Sequence, residues 1–144
     1  LDAVLELANR AYRRPLPEKD ATGLRDLYAK LREQGLAHDD AIQFALARVF
    51  ASPAFLYRLE EAPAGQEAGP IGDYELATRL SYFLWSSTPD AELLDLAAQG
   101  RLRDSTVLAE QAKRMLRDPR SRRLAQEFGL QWLQIYGFHT LDEK

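Results

Sequence analysis

The chain has 144 residues, 46% of them hydrophobic and 28% charged, with a formal net charge of −3 and no cysteine. That length suits one domain or two very small ones, with apolar content for a real core but no global field toward nucleic acid or acidic membranes. No apolar run approaches the roughly 20 residues of a membrane span, and the missing cysteines exclude disulfides, thiolate zinc sites, a cysteine nucleophile and covalent c-type haem within this segment.

Val4, Leu7, Ala8 and Ala11 recur with helical spacing, so residues 1–13 are expected to form an amphipathic helix that Arg13-Arg14-Pro15-Leu16-Pro17 ends. A second helix starts near Pro17, with Glu18 and Asp20 facing the positive end of its dipole. Its stripe is Leu24, Leu27, Tyr28 and Leu31, and Gly35 stops it in the left-handed region. The third begins near Asp39 or Asp40 and carries Ile42, Ala45, Leu46, Val49 and Phe50. Ser52-Pro53 then opens a short helix with Phe55, Leu56 and Leu59. A capping side chain accepts a hydrogen bond from an orphan N–H of the first turn, and proline just after it has no N–H to lose.

Residues 61–72 hold two prolines and three glycines and read as a linker. The pattern restarts at Gly72-Asp73-Tyr74-Glu75. This fifth helix, to about Ser86, is apolar on more than one side: Leu76, Leu80, Phe83 and Leu84 on one face, Tyr74 and Trp85 on another. Thr88-Pro89 is expected to cap a sixth helix with Leu93, Leu94 and Ala97, ending at Gly100. Asp104 caps a seventh with Leu108, Ala112, Met115 and Leu116. Asp118-Pro119 caps an eighth with Leu124, Phe128, Trp132 and Ile135, ending near Gly137. No segment alternates with period two for long enough to make a strand.

The expected fold is therefore all-α: about eight short helices in a module at 1–60, a linker at 61–72, and a bundle at 73–144. Leu1 already belongs to a helix and the tail from Phe138 to Lys144 has no cap, so the segment reads as a piece of a longer protein.

Two stretches carry a resemblance. Residues 8–16 (Ala-Asn-Arg-Ala-Tyr-Arg-Arg-Pro-Leu), with Ser52-Pro53, Phe55, Arg58 and Glu60, resemble a short helical domain of unknown function from planctomycete-type bacteria. Asp73-Tyr74-Glu75-Leu76-Ala77 and Arg79-Leu80-Ser81-Tyr82-Phe83-Leu84-Trp85-Ser86 resemble the start of the larger domain that follows it. Pro89-Asp90, Leu93, Ala97, Gly100, Leu102, Asp104, Met115-Leu116, Asp118-Pro119-Arg120 and Phe128 to Leu133 extend that match. Pro17 departs from the family, where a threonine cap is usual. The resemblance implies a large, exported, multidomain parent, extracytoplasmic and in many members carrying a cytochrome c module elsewhere. It implies partnership with the parent's other domains, haem c outside this segment, and no known reaction or catalytic residue.

The candidate ligand-binding residues are Arg79, Tyr82, Trp85 and Trp132. Arg79 shares a stripe with Glu75 and Tyr82, so its planar fork either pairs within the helix or meets a carboxylate or phosphate. The aromatics Tyr74, Tyr82, Trp85, Trp132 and Tyr136 suit core packing first, with Trp132 on the stripe of Leu124 and Phe128; a stacking platform for sugar or a haem edge is the alternative. His38, in an expected loop, and His139 belong to no cluster with metal-ligand spacing, and Met115 fits a core stripe. Residues 101–123 carry eight cations against three acids, which reads as a solvated face or a surface for an anionic partner. Nucleic acid is not expected, since no reader motif accompanies the charge. Asp90 and Glu92 read as first-turn acids, and Ser52, Ser81, Ser86 and Ser105 have no placed base. These residues point to a non-catalytic helical scaffold or docking module. The alternatives are part of an oxidoreductase lined by Arg79, Tyr82 and Trp85, or a carbohydrate-binding module, which needs Trp85 or Trp132 exposed.

Overall fold

The computed structural model describes residues 1–58, residue 60 and residues 69–132. It is all-α, with no strand among the described residues. The chain divides into two compact units, Leu1–Glu75 and Leu76–Lys144. Residues 61–68 of the expected linker lie outside the described residues, as do Leu59, Ile135, Tyr136 and His139. Among the described residues no helix is long and apolar enough to cross a membrane.

The first unit holds α1 (Asp2–Tyr12), α2 (Glu18–Glu33), α3 (His38–Ala51) and α4 (Pro53–Leu56). α3 packs against each of the other three. Its buried residues are Ala41, Ala45 and Val49, all fully covered, so its floor is made of small side chains one turn apart. Alanine there lets neighbouring backbones come close. Ile42 and Leu46 flank this floor and are only partly buried, while Phe50, expected on the stripe, is 43% exposed and meets Phe55 edge to face. Val4, Ala8, Ala11, Tyr12 and Leu24 complete the core.

α1 ends on Arg13, a non-glycine residue with φ of 59°. The sequence marks this spot as a stop but not as a joint. The Arg13 side chain is buried, and its guanidinium donates to the carbonyl oxygens of Ala54 (2.6 Å), Phe55 (3.3 Å) and Tyr57 (2.9 Å). These are carbonyls at the end of α4, which a helix of four residues cannot pair internally. One arginine thus ties the end of α1 to the end of α4, and the left-handed turn aims it there. Asn9 accepts from the Leu16 N–H (2.6 Å) and holds the loop between α1 and α2. Gly35 has φ of 87° and closes α2, as its position implies. His38 is the first residue of α3 rather than part of a loop, and its Nδ1 lies 2.7 Å from the Tyr28 hydroxyl.

The second unit contains most of α5 (Asp73–Trp85), then α6 (Ala91–Ala98), α7 (Ser105–Arg117), a 3-10 turn at Pro119–Ser121 and α8 (Arg122–Trp132). The buried residues of α5 are Asp73, Ala77, Thr78, Ser81, Leu84 and Trp85. This corrects the expected face: Leu76 and Leu80 are only half-buried and Phe83 is 63% exposed. Apolar periodicity weighs large side chains, whereas close helix approach selects small ones, and Ser81 fits at full burial because its hydroxyl donates to the Thr78 carbonyl. Asp104 caps α7 by accepting from the Thr106 and Val107 N–H groups, as expected. α6 is capped by Asp90, not Thr88, so it begins two residues later than the Thr-Pro signal suggests. Asp118 caps a 3-10 turn, and α8 follows.

Candidate functional site

α5 ends by delivering Trp85 to the interior, and Ser86 turns the chain away with φ of 50°. The indole is fully buried and its Nε1–H donates to the Met115 carbonyl at 3.0 Å, in the last turn of α7. A buried indole needs such an acceptor.

Two acid–base pairs gather over this ring. Asp90 accepts from the Leu93 N–H (3.0 Å) as the cap of α6. It also accepts both terminal nitrogens of Arg114, Nη1 at 2.7 Å and Nη2 at 3.1 Å, in a bidentate fork. Arg114 Nε donates to Gln111 Oε1 and lies 3.3 Å from Glu92, to which Gln111 in turn donates. Asp118 accepts from the Arg120 backbone N–H, Nε and Nη2, all within 2.9 Å. The Arg120 guanidinium carbon sits 3.5 Å from the Trp85 ring centroid and that of Arg114 sits 5.7 Å away. Arg120 Nη2 is also 3.9 Å from Asp90. Both cations therefore lie within reach of one aromatic ring while both aspartates start helical turns.

The electrostatics follow from this geometry. Burial pushes the Asp90 carboxyl up, but the Arg114 hydrogen bonds, the Leu93 N–H and the charges of Arg114 and Arg120 outweigh it, and the net shift is downward. The Arg120 side-chain and backbone hydrogen bonds hold Asp118 at about 2. Arg114 and Arg120 move above the ordinary guanidinium value through their bonds to Asp90 and Asp118. Carboxylates shifted downward stay ionised near neutral pH, which suits their pairing with the two guanidinium groups. What the cluster does well is fasten the end of α5, the start of α6, the end of α7 and the turn after it.

The sequence candidates fall in different surroundings. Arg79 is exposed on α5 and Tyr82 is half-buried three residues on. Trp85 offers no ring face to a ligand. Trp132 differs from the expected core placement: it is 74% exposed on α8 and stacks on Phe128 with centroids 6.0 Å apart. The reason is that α8 buries none of its side chains among the described residues. Sequence reasoning names Asp118 as a cap but does not pair it with Arg120, nor Asp90 with Arg114. In sequence Asp90 reads as a first-turn acid, and the arginines as part of a basic run that is either a solvated face or a surface for an anionic partner. The available signal was the aspartate beside a proline at both Pro89-Asp90 and Asp118-Pro119. No group of three or more metal-ligating side chains is placed to hold an ion among the described residues, and Met115 is fully buried.

With this geometry in hand, two family matches cover most of the chain. The model described as PSD4, protein of unknown function (DUF1592), matches residues 71–144. That described as PSD5, protein of unknown function (DUF1595), matches residues 2–60. No curated protein and no solved structure matches the chain.

Proposed function

Since the chain belongs to the PSD4 family, whose model spans just over half its residues, we propose that it acts as a non-catalytic helical scaffold within a longer exported protein. It holds that protein's other domains, a cytochrome c module among them. One observation carries this reading: the cluster of two aspartates, two arginines and an indole joins helices. Trp85 is sealed, Asp90 and Asp118 are caps, and Arg114 and Arg120 are bound to them. The resemblance of Arg79 to Ser86, Pro89-Asp90 and Asp118-Pro119-Arg120 to an exported, cytochrome-associated family supplies the setting.

The deciding experiment is a visible absorption spectrum of the full-length native protein, before and after dithionite. A Soret band that shifts on reduction supports the cytochrome link; a spectrum without haem removes it. A second arm tests the scaffold itself. Arg79→Ala or Tyr82→Phe that leaves thermal unfolding intact yet abolishes redox turnover of the parent would overturn a non-catalytic role.

A second reading, carbohydrate binding, is favoured by one fact only, the exposed Phe128–Trp132 pair. Co-sedimentation with cellulose and chitin, lost in Trp132→Ala, would establish it; no sedimentation discards it.

A further inference from the structure

Of the eight cations between residues 101 and 123, Arg114 and Arg120 are committed to carboxylates. Lys113, Arg117, Arg122 and Arg123 are exposed and form no ion pair among the described residues. They lead directly into α8. On that helix Leu124, Phe128 and Trp132 recur every four residues and share one face. Phe128 is 56% and Trp132 74% exposed. Off that face lie Arg122, Arg123, Gln126, Glu127 and Gln131, with Ala125, Gly129 and an exposed Leu130 among them, and the two cations outnumber the single acid of the helix.

A helix with aromatic and leucine side chains on one face and arginines on the other, and no buried side chain, has the composition of one that lies in a lipid interface. Indole and phenyl rings seat at headgroup depth, and guanidinium groups meet phosphate. An acidic protein face would also attract the cations. A convex, single helix, however, suits a flat deformable surface better than it suits a partner that must supply a matching groove.

We propose that α8 and the cationic end of α7 dock on an anionic phospholipid surface, with Phe128 and Trp132 as anchors and Arg117, Arg122 and Arg123 against the phosphates. This inference stands apart from the scaffold reading, whose spectroscopic test reads haem and not lipid. The measurement is co-sedimentation of the 144-residue chain with vesicles of phosphatidylcholine alone and of phosphatidylcholine mixed equally with phosphatidylglycerol. Binding is expected to the mixed vesicles only, and it weakens as salt rises. Replacing Arg117, Arg122 and Arg123 together by glutamine lowers partitioning roughly a hundredfold. Brominated lipid quenches Trp132 but not the buried Trp85, and the Phe128→Ala/Trp132→Ala variant loses binding while its thermal unfolding is unchanged. Absence of binding to anionic vesicles at low salt overturns the proposal. So does equal binding by both variants. Light scattering that shows a multimer abolished by Trp132→Ala assigns the face to a second copy of the chain and overturns it too.

Discussion

The two units solve the same problem with different materials. Short helices leave many terminal N–H and C=O groups unpaired, and small units have little core to offset that. The first unit builds an apolar floor of alanine and valine along α3 and satisfies one crowded helix end with a single buried cation, Arg13. The second unit uses aspartates to start its helices and then uses the same aspartates to hold two arginines over Trp85. In the first unit one cation serves three carbonyls; in the second each carboxylate serves a backbone N–H and a guanidinium at once. The lesson is that polar joints, not apolar stripes, decide where the short elements begin and end.

Trp85→Ala should cut deepest. It opens a cavity at a fully buried site and strips the surface beneath both arginines, for a loss of about 3–5 kcal/mol. Denaturant unfolding checks the size, and hydrogen exchange should show the loss at α5, α6 and α7. A change below 1 kcal/mol would mean that Trp85 is not the keystone of the second unit. Arg13→Ala comes next, at about 1–3 kcal/mol, because three partly buried carbonyls lose a buried donor. Arg13→Gly should be milder than Arg13→Ala by up to about 1 kcal/mol, since glycine relieves the left-handed φ that alanine retains. Arg13→Lys should recover less than half, as one ammonium cannot fan across three oxygens. If glycine and alanine are equally damaging, the left-handed conformation carries no cost and only the clamp matters.

The all-α class, the stops at Gly35 and Gly100 and the caps at Ser52, Asp104 and Asp118 were legible because each rests on a local rule: period, capping chemistry or positive φ. What was not legible is non-local. Arg13 reaches residues more than 40 positions away, and Arg114 reaches Asp90 across 24. No period or dipeptide reports such a partner. The same limit misassigned the face of α5, where Ala77 and Ser81 face inward and Phe83 outward. The stripe of Leu124, Phe128 and Trp132 favours the core over a stacking platform, yet a stripe shows only that a face is apolar, not that anything covers it.

Acid tests the joint of the second unit. Asp118 titrates near 3.8 when unfolded and at about 2 when folded, and Asp90 is shifted in the same direction. In the window between those values the unfolded chain binds more protons, so stability rises with pH and is complete above it. Asp118→Asn keeps a cap acceptor but removes the titration. Urea midpoints measured from pH 2.5 to 6 should show the wild-type advantage over Asp118→Asn growing to about pH 5 and then staying level. A difference that is constant across the range would show that the Arg120 pair does not bias protonation.

The smallest effect tests the finest distinction. Ser52-Pro53, Thr88-Pro89 and Asp118-Pro119 look alike in sequence, but only the first and third place their cap side chain on an N–H. Between Thr88 and α6 stands Pro89, which is buried, and then Asp90, whose carboxylate both caps the helix and grips Arg114. A carboxylate with an arginine partner wins over a neutral hydroxyl, because the helix that begins at Ala91 gains the cap and the ion pair together. Asp104→Ala, at an ordinary cap, should then cost about 1 kcal/mol. Thr88→Ala should stay within about 0.5 kcal/mol of wild type. Comparable losses in the two variants would mean that Thr88 is a working cap and that the start of α6 is set by its hydroxyl rather than by Asp90.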